Sequence, residues 1–181
     1  VGTVAEPTAT SDDGDKHGDK HGDDSDIDEW RRIGMSVFIL GTGQFLAAWD
    51  EGPLWRSDNW GEDWTLVLDG SGNRSALARR GEAIYAGMSD GLYVSVDEGW
   101  TFSLVEGSPH SCNQVSASGD NLAMTCEGAL WMHSGEEFRE IDVSVDIESV
   151  AIAPSDPNFL VAGTVESGVL WSADGGLTVS F

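Results

Sequence analysis

Positive charge is what this sequence is short of. No Lys follows Lys20, and every later base is one of seven Arg: Arg31, Arg32, Arg56, Arg74, Arg79, Arg80 and Arg139. Nine Lys and Arg face 32 Asp and Glu, for a formal net charge of −23. A surface of that sign repels phosphate, which argues against nucleic acid and anionic membranes as partners. Long hydrophobic runs are also missing. Stretches such as Val37-Phe-Ile-Leu40 fall far below the roughly 18 apolar residues of a membrane span, so no membrane insertion is expected. Cys and Tyr number two each. Initiator Met and a basic-then-apolar leader are both absent, so a start at Val1 is expected of a processed product or a fragment.

The first 29 residues lack apolar side chains almost entirely and hold ten of the acids. Within them Gly14-Asp-Lys-His17 repeats as Gly18-Asp-Lys-His21. Such a segment buries too little to offset its ordering entropy, and residues 1–29 are expected to be a disordered acidic low-complexity tail. His17, His21 and the flanking Asp residues leave capture of Ca²⁺ or Zn²⁺ as the alternative. Asp24-x-Asp26-x-Asp28 resembles the start of a calcium loop. Glu29, however, stands at the turn-Gly position and Met35 at that of the closing Glu. No other cofactor or metal is implied.

What the rest of the chain has is a repeated phrase. It reads Ser57-Asp-Asn-Trp-Gly-Glu-Asp-Trp64, Ser95-Val-Asp-Glu-Gly-Trp-Thr-Phe102 and Ser172-Ala-Asp-Gly-Gly-Leu-Thr-Val179. A worn copy, His133-Ser-Gly-Glu-Glu-Phe138, is two residues shorter. The copies begin 38, 38 and 39 residues apart, and a fixed period near 40 marks a repeat architecture. Each repeat contains four short β-prone runs. The first three begin at Val37, Ser75, Val115 and Val150; at Phe45, Ile84, Leu122 and Phe159; and at Gly52, Gly91, Gly128 and Gly168. The fourth runs follow the phrase, at Trp64, Phe102, Phe138 and Val179. Four strands per repeat, Gly-rich turns and no helical periodicity predict an all-β protein, a β-propeller of about four antiparallel blades over 30–181.

In the phrase, short Ser and Asp side chains can bond the loop's own N–H groups. Gly supplies a backbone conformation that a Cβ would disfavour, and the aromatic that follows is expected to plug the space between sheets. The pattern Ser-x-Asp-x-Gly-x-Thr-aromatic resembles the Asp-box (BNR) repeat of sialidases, sortilin ectodomains, xyloglucan-degrading glycosidases and a photosystem II assembly factor. The resemblance covers about 35–181, with Asn59 in place of Asp, Asp63 in place of Thr, and a shortened third copy expected to be built differently. It implies that Ser57, Asn59, Gly61, Trp64, Ser95, Asp97, Gly99, Phe102, Ser172, Asp174 and Gly176 act as structural staples, away from any catalytic centre.

If the phrase joins strands three and four, the loops from strand two to three and from blade to blade share the opposite end. They carry Trp49, Asp50, Glu51, Arg74, Asp90, His110, Glu127, Glu148 and Glu166, the candidate binding face. No catalytic residue is singled out. A sialidase needs three convergent arginines, a Tyr–Glu pair and an Asp, whereas this face offers Arg74 alone. Tyr85 and Tyr93 lie in strand-like runs, and Trp30-Arg-Arg-Ile33 only brushes the family's Arg-Ile-Pro signature. Trp49, Trp60 and Trp100 could stack on sugars, but packing between blades is the expected role.

Cys112 and Cys126 lie seven residues either side of Gly119, opposite each other across a hairpin. They are expected to form a disulfide and to imply an oxidising compartment. The expected function is a non-enzymatic, secreted or otherwise extracytoplasmic module presenting a propeller face to a protein or a carbohydrate. An Asp-box glycoside hydrolase working through loop carboxylates is the alternative. Because the fourth repeat stops at Phe181, a truncated propeller is the favoured reading. Closure by a homo-oligomer or a small four-bladed ring remain the others.

Overall fold

The computed structural model describes residues 35–49, 52–70, 76–135 and 137–181, apart from the side chains of Met35 and Trp49; the acidic N-terminal segment lies outside them. The described chain is all β. Sheet one is β1 (Met35–Gly41), β2 (Gln44–Trp49), β3 (Leu54–Ser57) and β4 (Thr65–Leu68). Sheet two is β5 (Ala76–Arg80), β6 (Ala83–Met88), β7 (Gly91–Ser95) and β8 (Ser103–Leu104). Sheet three is β9 (Cys112–Ser118), β10 (Asn121–Cys126), β11 (Ala129–Ser134) and β12 (Glu137–Ile141). Sheet four has three strands, β13 (Ile147–Ala153), β14 (Asp156–Thr164) and β15 (Val169–Ser172). Strands pair antiparallel in chain order in every sheet, which is the blade topology of a β-propeller.

Two expected elements are corrected. The third run of the first repeat begins at Leu54 rather than Gly52, since Gly and Pro ahead of it belong to the turn. The expected strand at Val179–Phe181 is a single bridge, Trp171 to Ser180.

Three apolar layers join the four sheets. Leu46, Ala48, Leu54, Ile84 and Ala86 fill the first layer, and Tyr85, Leu92, Leu122 and Met124 the second. Leu130, Ile141, Ile152, Leu160 and Leu170 fill the third. A second strand such as β6 or β10 is covered on both faces, so it is buried almost continuously rather than in alternation. The outward faces of the first and fourth sheets keep exposed Val37 and Ile39, and Val169 and Trp171, respectively. Across sheet three, Cys112 on β9 faces Cys126 on β10, and the two form a disulfide. Closing a loop of that size contributes about 3 kcal/mol in the chain-entropy account.

The repeated phrase forms three closely similar turns between third and fourth strands. In each, the Ser hydroxyl donates to the Asx side chain and accepts from the Gly N–H. The Gly99 N–H lies 2.8 Å from Ser95 Oγ, Gly176 2.8 Å from Ser172 Oγ, and Gly61 2.9 Å from Ser57 Oγ. Asp97 Oδ1 and Asp174 Oδ1 each accept a backbone N–H at 2.9 Å, from Thr101 and Thr178. Their Oδ2 atoms accept the Thr hydroxyls at 2.6 and 2.7 Å. In the first turn the polarity is reversed. Asn59 Oδ1 accepts the Asp63 N–H at 2.9 Å, while Asn59 Nδ2 donates to Asp63 Oδ2 at 2.8 Å. The two departures from the repeat are one coupled exchange of donor and acceptor. The third copy is a tight hairpin in which Ser134 pairs with Glu137 and Gly135 adopts φ 70°. It has no room for the staple, and His133 at the Ser position is buried in its strand as the three Ser are in theirs.

The staple turns of Gly99 and Gly176 are also keyed to the preceding sheet. Gly99, at φ 84°, lies against Leu46, where an added Cβ would sit 3.2 Å from a Leu46 methyl. Gly176, at φ 77°, lies against Ile141, whose Cδ1 would be 2.2 Å from that Cβ. Arg56 donates to the Glu98 carbonyl at 2.6 Å, and Arg139 donates to the Gly176 and Gly175 carbonyls at 2.9 and 2.5 Å. The expected plug is only partly realised. Phe102 and Val179 pack into the layers, but Trp64 is 37% exposed and folds back to donate Nε1–H to the Gly61 carbonyl.

Three outcomes follow from these contacts. Gly176→Ala should cost about 2–3 kcal/mol in chemical denaturation, combining left-handed strain with overpacking of Ile141. Asn59→Asp should destabilise by setting two carboxylates face to face, and adding Asp63→Thr should recover most of the loss, giving a double-mutant coupling of about 1 kcal/mol. The Thr101 and Thr178 bonds hold Asp97 and Asp174 down at about 2, against 3.8 for a free Asp. That stabilisation is complete above pH 3.8 and is lost as pH falls from there toward 2. Melting curves between pH 2 and 5 should show the decline, and Asp97→Asn with Asp174→Asn should flatten it.

Candidate functional site

Antiparallel order sends the staples and the first hairpin turns to one end of the sheets, hereafter the turn end. The Trp60 N–H bonds the Gly43 carbonyl at 3.0 Å and the Gly175 N–H bonds the Asn158 carbonyl at 2.8 Å. The opposite, loop end is laced by its own backbone bonds. Ser111 N–H reaches the Ser89 carbonyl at 2.8 Å, Ile147 N–H reaches Gly128 at 2.7 Å, and Val165 N–H reaches Asp146 at 3.0 Å. Each bond ties a blade's second-to-third loop to a connection between blades.

Charge divides between the two ends. The described arginines, Arg56, Arg79, Arg80 and Arg139, all lie toward the turn end, three of them bonded to turn carbonyls of the following sheet. The described loop end carries Asp90, Glu127, Asp146, Glu148 and Glu166, all exposed, with His110 as its one described imidazole. Asp50, Glu51 and Arg74 lie outside the described residues, as does the Trp49 side chain. Asp90 is engaged locally, accepting the Tyr93 hydroxyl at 2.8 Å. That bond raises the Tyr93 pKa, with burial and the Asp90 charge adding to it.

The loop 142–146 separates two clefts. One, of about 180 Å³, is lined by Glu127, Gly128, Glu140, Ile141 and the loop itself. The other, of about 310 Å³, is lined by Ser144, Val145, Asp146, Val165, Glu166 and Ser167. The structure therefore brings Glu127 and Glu166 to either side of Asp146. It does not bring Asp90, His110 or Glu148 into either cleft. Glu148 is an exposed residue of β13, two positions past Asp146. Sequence reasoning placed the run Asp146-Ile-Glu148 on this face, took Glu148 as its candidate, and did not name Glu140. The available signal was the polar spacing between Ile141 and Ile147, two buried residues that bound the loop.

At the turn end, Arg80 links sheets two and three. It donates to the Asp120 carbonyl at 3.0 Å and to the Tyr85 hydroxyl, and its Nη1 lies 3.3 Å from His133 Nδ1. His133 also stacks on Phe138, with ring centroids 4.5 Å apart. Burial, and then the Arg80 charge, lower the His133 pKa. His133 is therefore a neutral packing group here. Trp60 and Trp100, expected between blades, are instead 70% and 46% exposed, because the staples project them beyond the apolar layers.

No protein-family model matches this sequence, and no curated protein matches it. Solved structures do. A GH74 xyloglucanase from Xanthomonas campestris aligns with TM-score 0.63 at 22% identity over 83% of this chain and 30% of its own. An ancestral GH74 enzyme aligns with TM-score 0.62 at 19% identity over 81% of this chain and 23% of its own. YCF48 bound to D1 peptide aligns with TM-score 0.59 at 17% identity over 80% of this chain and 51% of its own. The chain thus spans at most 51% of these proteins' lengths. At such identities the likeness concerns architecture, and with four antiparallel sheets in series it identifies the fold as that of a β-propeller.

Proposed function

We propose that this chain is a non-enzymatic binding module that receives a protein segment or a carbohydrate at its loop end. The observation that carries this reading is the pair of acid-lined clefts sharing Ser144, Val145 and Asp146. Two adjoining depressions suit an elongated ligand, whose polar groups Glu127, Glu140, Asp146 and Glu166 would pair. The Cys112–Cys126 disulfide supports an extracytoplasmic setting. The matching bonds of the three Ser–Asx–Gly turns support assignment to the Asp-box group. The exposed Val37, Ile39, Val169 and Trp171 support further blades or a second copy as covering partners.

The competing reading is an Asp-box glycoside hydrolase, favoured by Glu127, Glu140 and Asp146 lining one cleft. Two carboxyl groups suffice for that chemistry at separations of about 5–10 Å. Incubation with xyloglucan and with a sialyllactoside, assayed for reducing ends and free sialic acid, is expected to give nothing above the blank. Turnover abolished by Glu127→Gln or Asp146→Asn would replace the binding reading. On peptide and glycan arrays, the triple variant Glu127→Gln, Asp146→Asn, Glu166→Gln should lose about tenfold in affinity for whichever ligand the parent retains.

A further inference from the structure

We propose that the turn end of the first two sheets is a separate binding surface, centred on Trp60, for a cationic protein segment that lays an Arg or Lys side chain on that ring. The proposal does not depend on the loop-end reading.

The first observation is where Trp60 stands. The fourth position of every staple is left-handed, with φ 64° at Trp60, 61° at Glu98 and 69° at Gly175. Gly suits that backbone, and a bulky aromatic there is an outlier that other interactions must offset. Burial does not offset it. The residue is 70% exposed, with its ring against Gly43 and edge-on to Phe45 at 6.4 Å between centroids. The backbone does not favour an indole at this position, and most of the residue stays where an external ligand can reach it.

The second observation is charge. Asp58, Glu62 and Asp63 in the same turn are exposed, and so is Glu98 in the next. The one base among them, Arg56, is buried and already paired with Asp58 at 2.6 Å. Trp64 is also partly exposed in the same turn as Trp60. Beyond the Arg56–Asp58 pair, Glu62, Asp63 and Glu98 have no described ion-pair partner, and an aromatic surface set among such carboxylates is complementary to cations.

The third observation is that the molecule already contains one such complex. The Arg56 guanidinium lies 4.3 Å from the centroid of the Trp100 ring, with Nη2 on Asp58 and Nη1 on the Glu98 carbonyl, each at 2.6 Å. Indole, carboxylate and turn carbonyl together hold a guanidinium. Trp60 presents the same indole beside the same turn's acids, with no cation of the described residues on it.

The test uses the full chain and fluorescence anisotropy of labelled peptides in about 150 mM salt, where diffuse attraction to distant acids is screened. The probes are alternating Arg–Gly and Glu–Gly peptides of equal length, with xyloglucan oligosaccharide as competitor. The parent should bind the Arg–Gly peptide and not the Glu–Gly peptide. Trp60→Ala, which leaves the net charge unchanged, should weaken binding about fivefold or more, whereas Trp60→Phe should retain most of it. The triple loop-end variant should bind like the parent. Equal affinity of Trp60→Ala and parent overturns the proposal, as does displacement of the peptide by the oligosaccharide. Loss of binding only in the loop-end variant also overturns it, while leaving the loop-end reading in force.

Discussion

Everything else in this fold depends on a glycine of one sheet touching an aliphatic side chain of the sheet before it. At Gly99 and Gly176 the staple turn folds tightly because the Ser hydroxyl holds the Gly N–H. The missing Cβ then lets Leu46 and Ile141 close the gap. The turn's carbonyls face back and take the guanidinium groups of Arg56 and Arg139. A feature that looks like local loop chemistry therefore sets the spacing between blades, and through it the density of the apolar layers. Sheet three, which lacks the staple, reaches forward to the next one through Arg139 on its fourth strand.

Most of this architecture was legible in the chain. The interval between Ser57, Ser95 and Ser172 gave the repeat, the Gly119-centred hairpin gave the disulfide, and strand alternation separated the two ends. The side-chain environments were not legible. Trp60, Trp64 and Trp100 read as packing residues because aromatics usually bury. The staple turns them outward, and only three-dimensional geometry reveals that. His133 stands at the Ser position of a worn phrase, and nothing in the sequence marked its contact with Arg80. Like the three Ser it is a buried strand residue, and it lies beside Arg80. Within the run Asp146-Ile-Glu148 the candidate taken was Glu148, and a two-residue error in a connection exchanges a cleft wall for a strand surface.

The two ends differ in how they use charge. At the turn end arginines are consumed internally, on carbonyls and rings, and beyond Asp58 the exposed acids around them have no described ion-pair partner. At the loop end acids line depressions with no described arginine to answer them. Three of the four described arginines, Arg56, Arg80 and Arg139, thus hold neighbouring sheets together.

The reversed pair in the first staple constrains the order in which such a turn can change. Between the Asp–Thr form at Asp97 and Thr101 and the Asn–Asp form at Asn59 and Asp63 lie two intermediates. Asn facing Thr keeps a donor against an acceptor, whereas Asp facing Asp opposes two anions. A lineage moving from the first form to the second has one open path, with the amide arriving before the second acid. The two positions must then be inherited together.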